Sequence, residues 1–154
     1  EPLATGNMRM DVVNLAVAPF SMFSATDMEI NRQGTTYTID TIEILSINRE
    51  IFLILGTDAV NQIGSWIKPG RILEVCKLVA VERPGVDNLD EKEIEDVTLG
   101  ASRQVTVLRG DLPEISSTLV RQRVEEGLSI QGMVPVDVEK YILDRGLYRS
   151  QRQQ

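Results

Sequence analysis

The 154-residue sequence contains no histidine and a single cysteine, Cys76. Without histidine, these residues cannot form a catalytic triad, metal site or general base that depends on an imidazole. A lone cysteine excludes an intrachain disulfide and a multi-cysteine zinc site, and it agrees with a reducing compartment. The longest apolar run, Ile51–Leu55, is far too short to cross a membrane. We therefore expect a cytoplasmic protein without a membrane partner.

Acidic residues outnumber basic ones by 23 to 16, which gives a net charge of −7. Nucleic-acid backbones require clustered Lys and Arg, so this balance predicts no nucleic-acid partner. A small nucleotide needs only a few local hydrogen-bond donors, so the acidic balance does not exclude a nucleotide ligand. The length predicts one domain over residues 1–154. Because the chain opens on Glu1-Pro2 without an initiator Met, we expect this domain to be N-terminally incomplete.

Short apolar runs alternate with helical stretches along the chain. The middle two of four predicted strands are apolar at consecutive positions, a pattern typical of parallel strands buried on both faces. The alternation predicts a doubly wound α/β fold, with a mainly parallel sheet and helices on both faces. The predicted strands are Phe20–Ser24, Ile51–Leu55, Lys77–Val81 and Val105–Leu108. The predicted helices are Met8–Val17, Ile39–Ile47 capped by Thr38, Ala59–Trp66, Arg71–Val75, Asp90–Val97, Leu119–Glu126 and Val136–Asp144.

The first candidate site is the Gly56-Thr57-Asp58 sequence, which directly follows an apolar strand. In open α/β sheets, ligands bind beyond the carboxyl ends of the strands. A glycine there permits a sharp turn or the close approach of a ligand. Asp58 is placed to accept a hydrogen bond from a ribose hydroxyl. The alternative is that Thr57 or Asp58 only caps the next helix.

The second candidate site is Ser116-Ser117-Thr118, which opens a helix that carries Arg121 one turn later. The first backbone N–H groups of a helix lack partners and bind anions. Helical side chains lean towards the N-terminus, so Arg121 can reach such an anion. The alternative is a well-capped helix with a surface arginine.

Two further residues are ambiguous when taken alone. Arg83 precedes Pro84-Gly85, a turn signal beside which an arginine can simply be exposed. Trp66, the single tryptophan, can belong to the core or can stack on a flat heterocycle.

Taken together and in this order, these segments resemble the bacterial nicotinate-nucleotide adenylyltransferases, within the Rossmann-like nucleotidyltransferase group. The resemblance runs from about Met8 to Arg149 and depends on several weak motifs in register. The matching segments are Glu29-Ile30-Asn31-Arg32, Gly34-Thr35-Thr36-Tyr37-Thr38-Ile39-Asp40-Thr41, Phe52-Leu53-Ile54-Leu55-Gly56-Thr57-Asp58-Ala59, Ser65-Trp66, Val79-Ala80-Val81-Glu82-Arg83-Pro84-Gly85, Ile115-Ser116-Ser117-Thr118 with Arg121, Val134-Pro135, Tyr141-Ile142 and Gly146-Leu147-Tyr148.

The resemblance implies adenylyl transfer from ATP to nicotinate mononucleotide, which yields deamido-NAD and pyrophosphate in NAD biosynthesis. On the acceptor side it implies that Trp66 stacks on the pyridine ring. Backbone N–H groups of Thr38 and Ile67 would bind the nicotinate carboxylate, which distinguishes it from the neutral amide. Gly56 and Asp58 would line the nucleotide cleft.

On the ATP side, the resemblance implies that Ser116, Ser117 and Arg121 hold phosphates and that Arg83 lies near the adenine. Mg²⁺ would accompany ATP, and no protein metal ligand is predicted. The family also has a His-x-Gly-His turn near its N-terminus, which this sequence lacks. We therefore assign no catalytic residue, expect the first strand and helix to be absent, and expect little turnover from this chain alone. A homo-oligomer is left open.

Other classes of function remain as alternatives. One is another adenylyl- or cytidylyltransferase, because the serine-rich helix start with Arg121 does not discriminate within the superfamily. Trp66 and the Tyr37-Thr38 segment do discriminate, since they form the acceptor side. A second is a non-catalytic nucleotide-binding α/β module. A third is a flavodoxin-like signalling domain, which we rank last because it does not explain the Ser116-Ser117-Thr118 helix start with Arg121.

Overall fold

The computed structural model describes residues 4–83, 85, 87–98, 100–110 and 112–149, with the side chains of residues 102 and 103 left out. The chain divides into two compact units. The first comprises residues 1–32 and 115–154, and the second comprises residues 33–114. The expectation of a single domain stays a prediction. No helix in these described ranges has the length and apolar character needed to span a membrane.

The described elements alternate between helices and strands along the chain. The strands are β1 (Ile51–Gly56), β2 (Cys76–Val81) and β3 (Val105–Leu108). The helices are α1 (Gly6–Val17), α2 (Thr38–Leu45), α3 (Thr57–Val60), α4 (Pro69–Val75), α5 (Glu91–Glu95), α6 (Ser117–Glu125) and α7 (Val136–Asp144). Two 3₁₀ turns cover Ile63–Ser65 and Ala101–Gln104.

The second unit is built on a parallel sheet of β1, β2 and β3, in that order. Gly56 lies opposite Val81, and Val81 lies opposite Leu108, so the carboxyl ends of the three strands share one edge. These pairings confirm the predicted parallel α/β sheet and three of the four predicted strands. They also place the residues that follow β1 and β2 next to each other.

One face of this sheet packs against helices. Leu53, Leu78 and Ala80 join a core that includes Ile39 and Ile72, from α2 and α4. The alternate side chains of β1 point the other way, and Phe52 and Ile54 are 53% and 65% exposed. The burial on both faces that was expected for this strand is therefore wrong in the structure, although the strand itself is confirmed.

The first unit has a separate core formed by α1, α6 and α7. Its buried residues are Val120, Val124, Ile130, Val138, Ile142 and Leu147. Tyr141 donates a hydrogen bond of 2.6 Å to Asp11, which ties α7 to α1. The spacing of Val120 and Val124, one helical turn apart, gives α6 its buried face.

Several local predictions are wrong. Phe20–Ser24 forms no strand in the described structure, and Phe20 and Phe23 lie exposed in edge-to-face contact. The helix predicted over Ala59–Trp66 ends at Val60, and a 3₁₀ turn follows. Thr38 is the first residue of α2 rather than its cap, which is Tyr37. An apolar or β-branched run alone does not determine whether a strand finds a partner or where a helix stops.

Candidate functional site

A small cavity in the second unit gathers the residues that were predicted to bind the acceptor. Its volume is about 120 Å³, and its lining includes Trp66, Thr38 and Ile67 together with Tyr37 and Ile72. An apolar cavity of roughly 150 Å³ can hold a benzene ring, so this space is of the order of one six-membered ring. Trp66 is half-buried and packs against the core. The indole is therefore held by packing while part of it faces the cavity.

Backbone donors border the same cavity. Thr38 is the first residue of α2, and a first-turn N–H has no carbonyl partner within its own helix. Ile67 stands between Trp66, which ends the 3₁₀ turn, and Lys68, whose φ of 53° is left-handed. The chain turns sharply here, between Trp66 and the start of α4 at Pro69. The arrangement offers an aromatic face and a first-turn N–H of α2 to a planar ring that bears an anionic substituent.

Gly56, Asp58 and Arg83 form a second cluster, at the carboxyl ends of β1 and β2. Nη2 of Arg83 donates a hydrogen bond of 2.8 Å to Oδ1 of Asp58. Helix α3 begins at Thr57 with Gly56 at the cap position and no side-chain capping bond. The alternative that Thr57 or Asp58 merely caps this helix is therefore wrong. The carboxylate is available at the strand ends, where α/β sheets bind ligands.

Arg83 also lowers the pKa of this carboxyl group. The hydrogen bond from Arg83 is the largest cause that lowers the pKa of Asp58 below 3.8, and partial burial opposes it. Asp58 is thus ionised at neutral pH and accepts hydrogen bonds only. An ionised carboxylate is suited to hydroxyl donors such as those of a ribose, and it repels phosphate.

The serine-rich junction lies in the first unit, at the start of α6. Ser116 is the cap residue, and its hydroxyl accepts a hydrogen bond of 3.1 Å from the N–H of Leu119. Arg121 leans back towards the helix start and donates to Oγ1 of Thr118 at 3.3 Å. The guanidinium therefore lies over the first turn of α6, as its position in the sequence predicts. Ser117 is the first helical residue, in the turn whose N–H groups have no partner within the helix.

A cavity of about 290 Å³ adjoins this helix start. Ser116, Ser117 and Arg121 line it beside apolar side chains that include Val120 and Tyr148. Serine hydroxyls, helix N–H groups and an arginine can bind phosphate oxygens, and the apolar wall can take a base or another flat group. The three residues predicted to hold ATP phosphates thus border one cavity.

The sequence reasoning missed two features of the site. The first is the Arg83–Asp58 pair, because the sequence of one strand does not by itself give its register with the neighbouring strand. The second is Thr57, which is 1% exposed and whose Oγ1 has no partner among the described residues. Parallel pairing of the two apolar strands was the signal that would have placed Asp58 and Arg83 side by side. Pro84, in the turn after Arg83, lies outside the described residues.

Among the described residues, no group of three or more Asp, Glu or Cys side chains is placed to hold a metal ion. Cys76 is buried, burial raises the pKa of its thiol, and its Sγ contacts the carbonyl oxygen of Ile72 at 3.2 Å. A buried thiol of raised pKa is a poor nucleophile.

The sequence matches the family described as cytidylyltransferase-like over residues 1–123. A relative from Dehalococcoides mccartyi is 37% identical, and the alignment covers 93% of this chain and 72% of the relative. A relative from Geotalea daltonii is 33% identical, and the alignment covers 94% of this chain and 76% of the relative. A relative from Lachnoclostridium phytofermentans is 32% identical, and the alignment covers 91% of this chain and 72% of the relative. All three are named probable nicotinate-nucleotide adenylyltransferases. The chain belongs to the cytidylyltransferase-like family, among the nicotinate-nucleotide adenylyltransferases.

Solved structures agree on the fold. Plasmodium falciparum nicotinic acid mononucleotide adenylyltransferase in complex with APC matches with a TM-score of 0.70 at 19% identity, over 92% of this chain and 75% of that one. The same enzyme in complex with NaAD matches with a TM-score of 0.69 at 18% identity, over 92% and 73%. The predicted Rossmann-like nucleotidyltransferase fold is thereby confirmed.

Proposed function

We propose that this protein is a nucleotidyltransferase that transfers an adenylyl group from ATP to nicotinate mononucleotide. The observation that carries the proposal is the cavity in which Trp66 meets Thr38 and Ile67. It combines an aromatic face for the pyridine ring with main-chain donors for the nicotinate carboxylate. Family membership and the names of the relatives support the same reaction.

The reaction needs no covalent enzyme intermediate. A phosphate oxygen of nicotinate mononucleotide attacks the α-phosphorus of ATP and forms a new P–O bond. The bond from the α-phosphorus to the bridging oxygen of the β-phosphate breaks, and pyrophosphate leaves with that electron pair. Because the phosphate is already ionised, the protein contributes positioning and stabilises the negative charge that spreads over the phosphates.

Ser116, Ser117 and Arg121 are our candidates for holding ATP phosphates, and their shared cavity supports this role. Gly56 and Asp58 would line the nucleotide cleft, as the strand-end position of both suggests. Nucleotidyltransferases generally use a divalent metal. Here Mg²⁺ would enter with ATP, bound to phosphate oxygens, its usual partners at such sites.

A thermal unfolding experiment with two mononucleotides tests the proposal. At a concentration 100 times its Kd, a ligand stabilises the folded state by about 2.7 kcal/mol. For a chain of this size, this corresponds to a rise in Tm of about 5 to 10 °C. We expect nicotinate mononucleotide to produce such a rise and nicotinamide mononucleotide to produce a clearly smaller one.

Two results would contradict the proposal. No shift with millimolar nicotinate mononucleotide would remove the acceptor assignment altogether. Equal rises in Tm with both mononucleotides would show that the N–H groups of Thr38 and Ile67 do not bind the nicotinate carboxylate. Mg²⁺, a cytoplasmic location and the absence of a nucleic-acid partner remain predictions beside this function, and a homo-oligomer is left open.

A further inference from the structure

The Arg83–Asp58 ion pair lies at the carboxyl ends of two neighbouring parallel strands. Both side chains are about half exposed, at 45% and 48%, and exposed pairs of this kind contribute little to stability. Their position is nonetheless specific. Asp58 follows β1, Arg83 follows β2, and the parallel register brings the two strand ends together at Gly56 and Val81.

Gly56 supplies the space that the pair occupies. A Cβ atom at Gly56 would overlap Oδ1 of Asp58 and would lie 2.9 Å from Nη2 and 3.2 Å from Nε of Arg83. The φ of Gly56 is −68°, which any residue can adopt, so the backbone does not require glycine. The bonded carboxylate and guanidinium are what a larger residue would displace.

We infer that Arg83 is a positioning residue that fixes the Asp58 carboxylate above Gly56, so that the carboxylate accepts a hydrogen bond from a ribose hydroxyl of the bound nucleotide. An ionised carboxylate has about four acceptor positions. The hydrogen bond from Arg83 uses part of that capacity and leaves room for a hydroxyl. The inference rests on the proposed function, since it concerns how that site recognises its nucleotides.

The inference gives Arg83 a different role from direct contact with the adenine. A residue that contacts the base contributes equally to ribonucleotides and deoxyribonucleotides. A residue that acts through Asp58 contributes only when the hydroxyl is present. Discrimination between the two sugars therefore separates the two roles.

The test measures Kd by calorimetry for nicotinate mononucleotide and for ATP, each as the ribose, 2′-deoxyribose and 3′-deoxyribose form. The variants of the full chain are Arg83→Met, Arg83→Lys, Asp58→Asn and the double variant Arg83→Met with Asp58→Asn. Arg71→Met is the matched control, because Arg71 forms a similarly exposed pair with Glu43 at 2.9 Å in the same unit. Thermal unfolding establishes that each variant is folded at the working temperature.

The unmodified chain is expected to prefer the ribose form of one nucleotide by about tenfold or more, as a hydrogen bond to a charged acceptor gives. Arg83→Met and Asp58→Asn should each lose most of that preference, and the double variant should lose no more. Arg83→Lys should keep part of it, since a lysine retains the charge but not the planar fork. Arg71→Met should keep all of it.

The pKa of the Asp58 carboxyl, followed by NMR, is a second readout. In Arg83→Met the hydrogen bond that lowers the pKa of Asp58 is lost, whereas the partial burial that raises this pKa remains. The pKa of Asp58 should therefore rise. A role confined to holding the strands together would not produce this rise together with the loss of ribose preference.

Three results would overturn the inference. One is an unchanged ribose preference in Arg83→Met, and another is an equal loss of affinity for ribose and deoxyribose forms. The third is an unmodified chain that binds nicotinate mononucleotide without any ribose preference for either nucleotide, which leaves the proposed function standing. If the unmodified chain binds neither nucleotide, the proposed function fails and the inference fails with it.

Discussion

Replacement of Trp66 by alanine is expected to weaken the binding of nicotinate mononucleotide by about tenfold to a hundredfold. Stacking of an aromatic side chain on a base contributes roughly 1 to 3 kcal/mol by alanine substitution, and a pyridinium ring in this cavity would lose that contact. Trp66→Phe should retain most of the affinity, because it keeps an aromatic face. Titration calorimetry measures the three values of Kd.

The control for this prediction is Phe52→Ala. Phe52 is an exposed aromatic residue of the same unit, on the outward side of β1. Its loss should leave Kd unchanged. Trp66 packs against the core, so its truncation also lowers the free energy of unfolding, and the titration must be run well below the measured Tm. An unchanged Kd in a folded Trp66→Ala protein would refute the acceptor assignment.

Gly56→Ala is the second substitution for which we expect a large effect. The new Cβ would overlap Oδ1 of Asp58 and crowd Arg83, so the pair must move away from the strand end. Both side chains are exposed enough to do so, and the loss of stability should be about 1 kcal/mol or less. Affinity for the nucleotide whose ribose form the unmodified chain prefers should nevertheless fall by about tenfold, because Asp58 no longer lies where that ribose needs it.

Gly64→Ala is the matched control, since a Cβ there meets Cγ2 of Val97 at an ordinary 3.5 Å. It should change neither Tm nor Kd noticeably. The prediction for Gly56 would be wrong if both alanine variants bound nicotinate mononucleotide and ATP within twofold of the unmodified chain. A large fall in Tm for Gly56→Ala alone would instead assign Gly56 to stability.

Local patterns predicted the sheet of the second unit well. The consecutive apolar residues of Ile51–Leu55 and Lys77–Val81 identified two parallel strands, and β1 and β2 are parallel neighbours. The strand predicted over Val105–Leu108 has the same first and last residues as β3 in the structure. Such runs are strong signals because at least one face of each strand packs against the core, as Leu53, Leu78 and Ala80 do here.

Phe20–Ser24 shows where the same reasoning fails. Its composition suits a strand, yet a strand also needs a partner for its backbone hydrogen bonds, and partner choice is a tertiary property. The structure gives this segment turns and exposed phenylalanine rings. Burial is equally hard to predict from sequence, as the exposed Ile54 and the buried Thr57 illustrate.

The candidate site was predicted in part. The resemblance grouped Trp66, Thr38 and Ile67, and the structure places these three residues around one cavity. It also grouped Ser116, Ser117 and Arg121, which line another. Their roles towards substrates stay predictions. The contact between Arg83 and Asp58 depends on strand register, which no local pattern in either segment encodes.

The fluorescence of Trp66 tests the central claim most directly, because it is the only tryptophan in the sequence. A pyridine ring stacked on the indole changes the emission of that residue alone. We predict saturable quenching by nicotinate mononucleotide, with the same Kd as calorimetry gives. Emission that stays constant while calorimetry shows full occupancy would place the ring elsewhere and contradict the account.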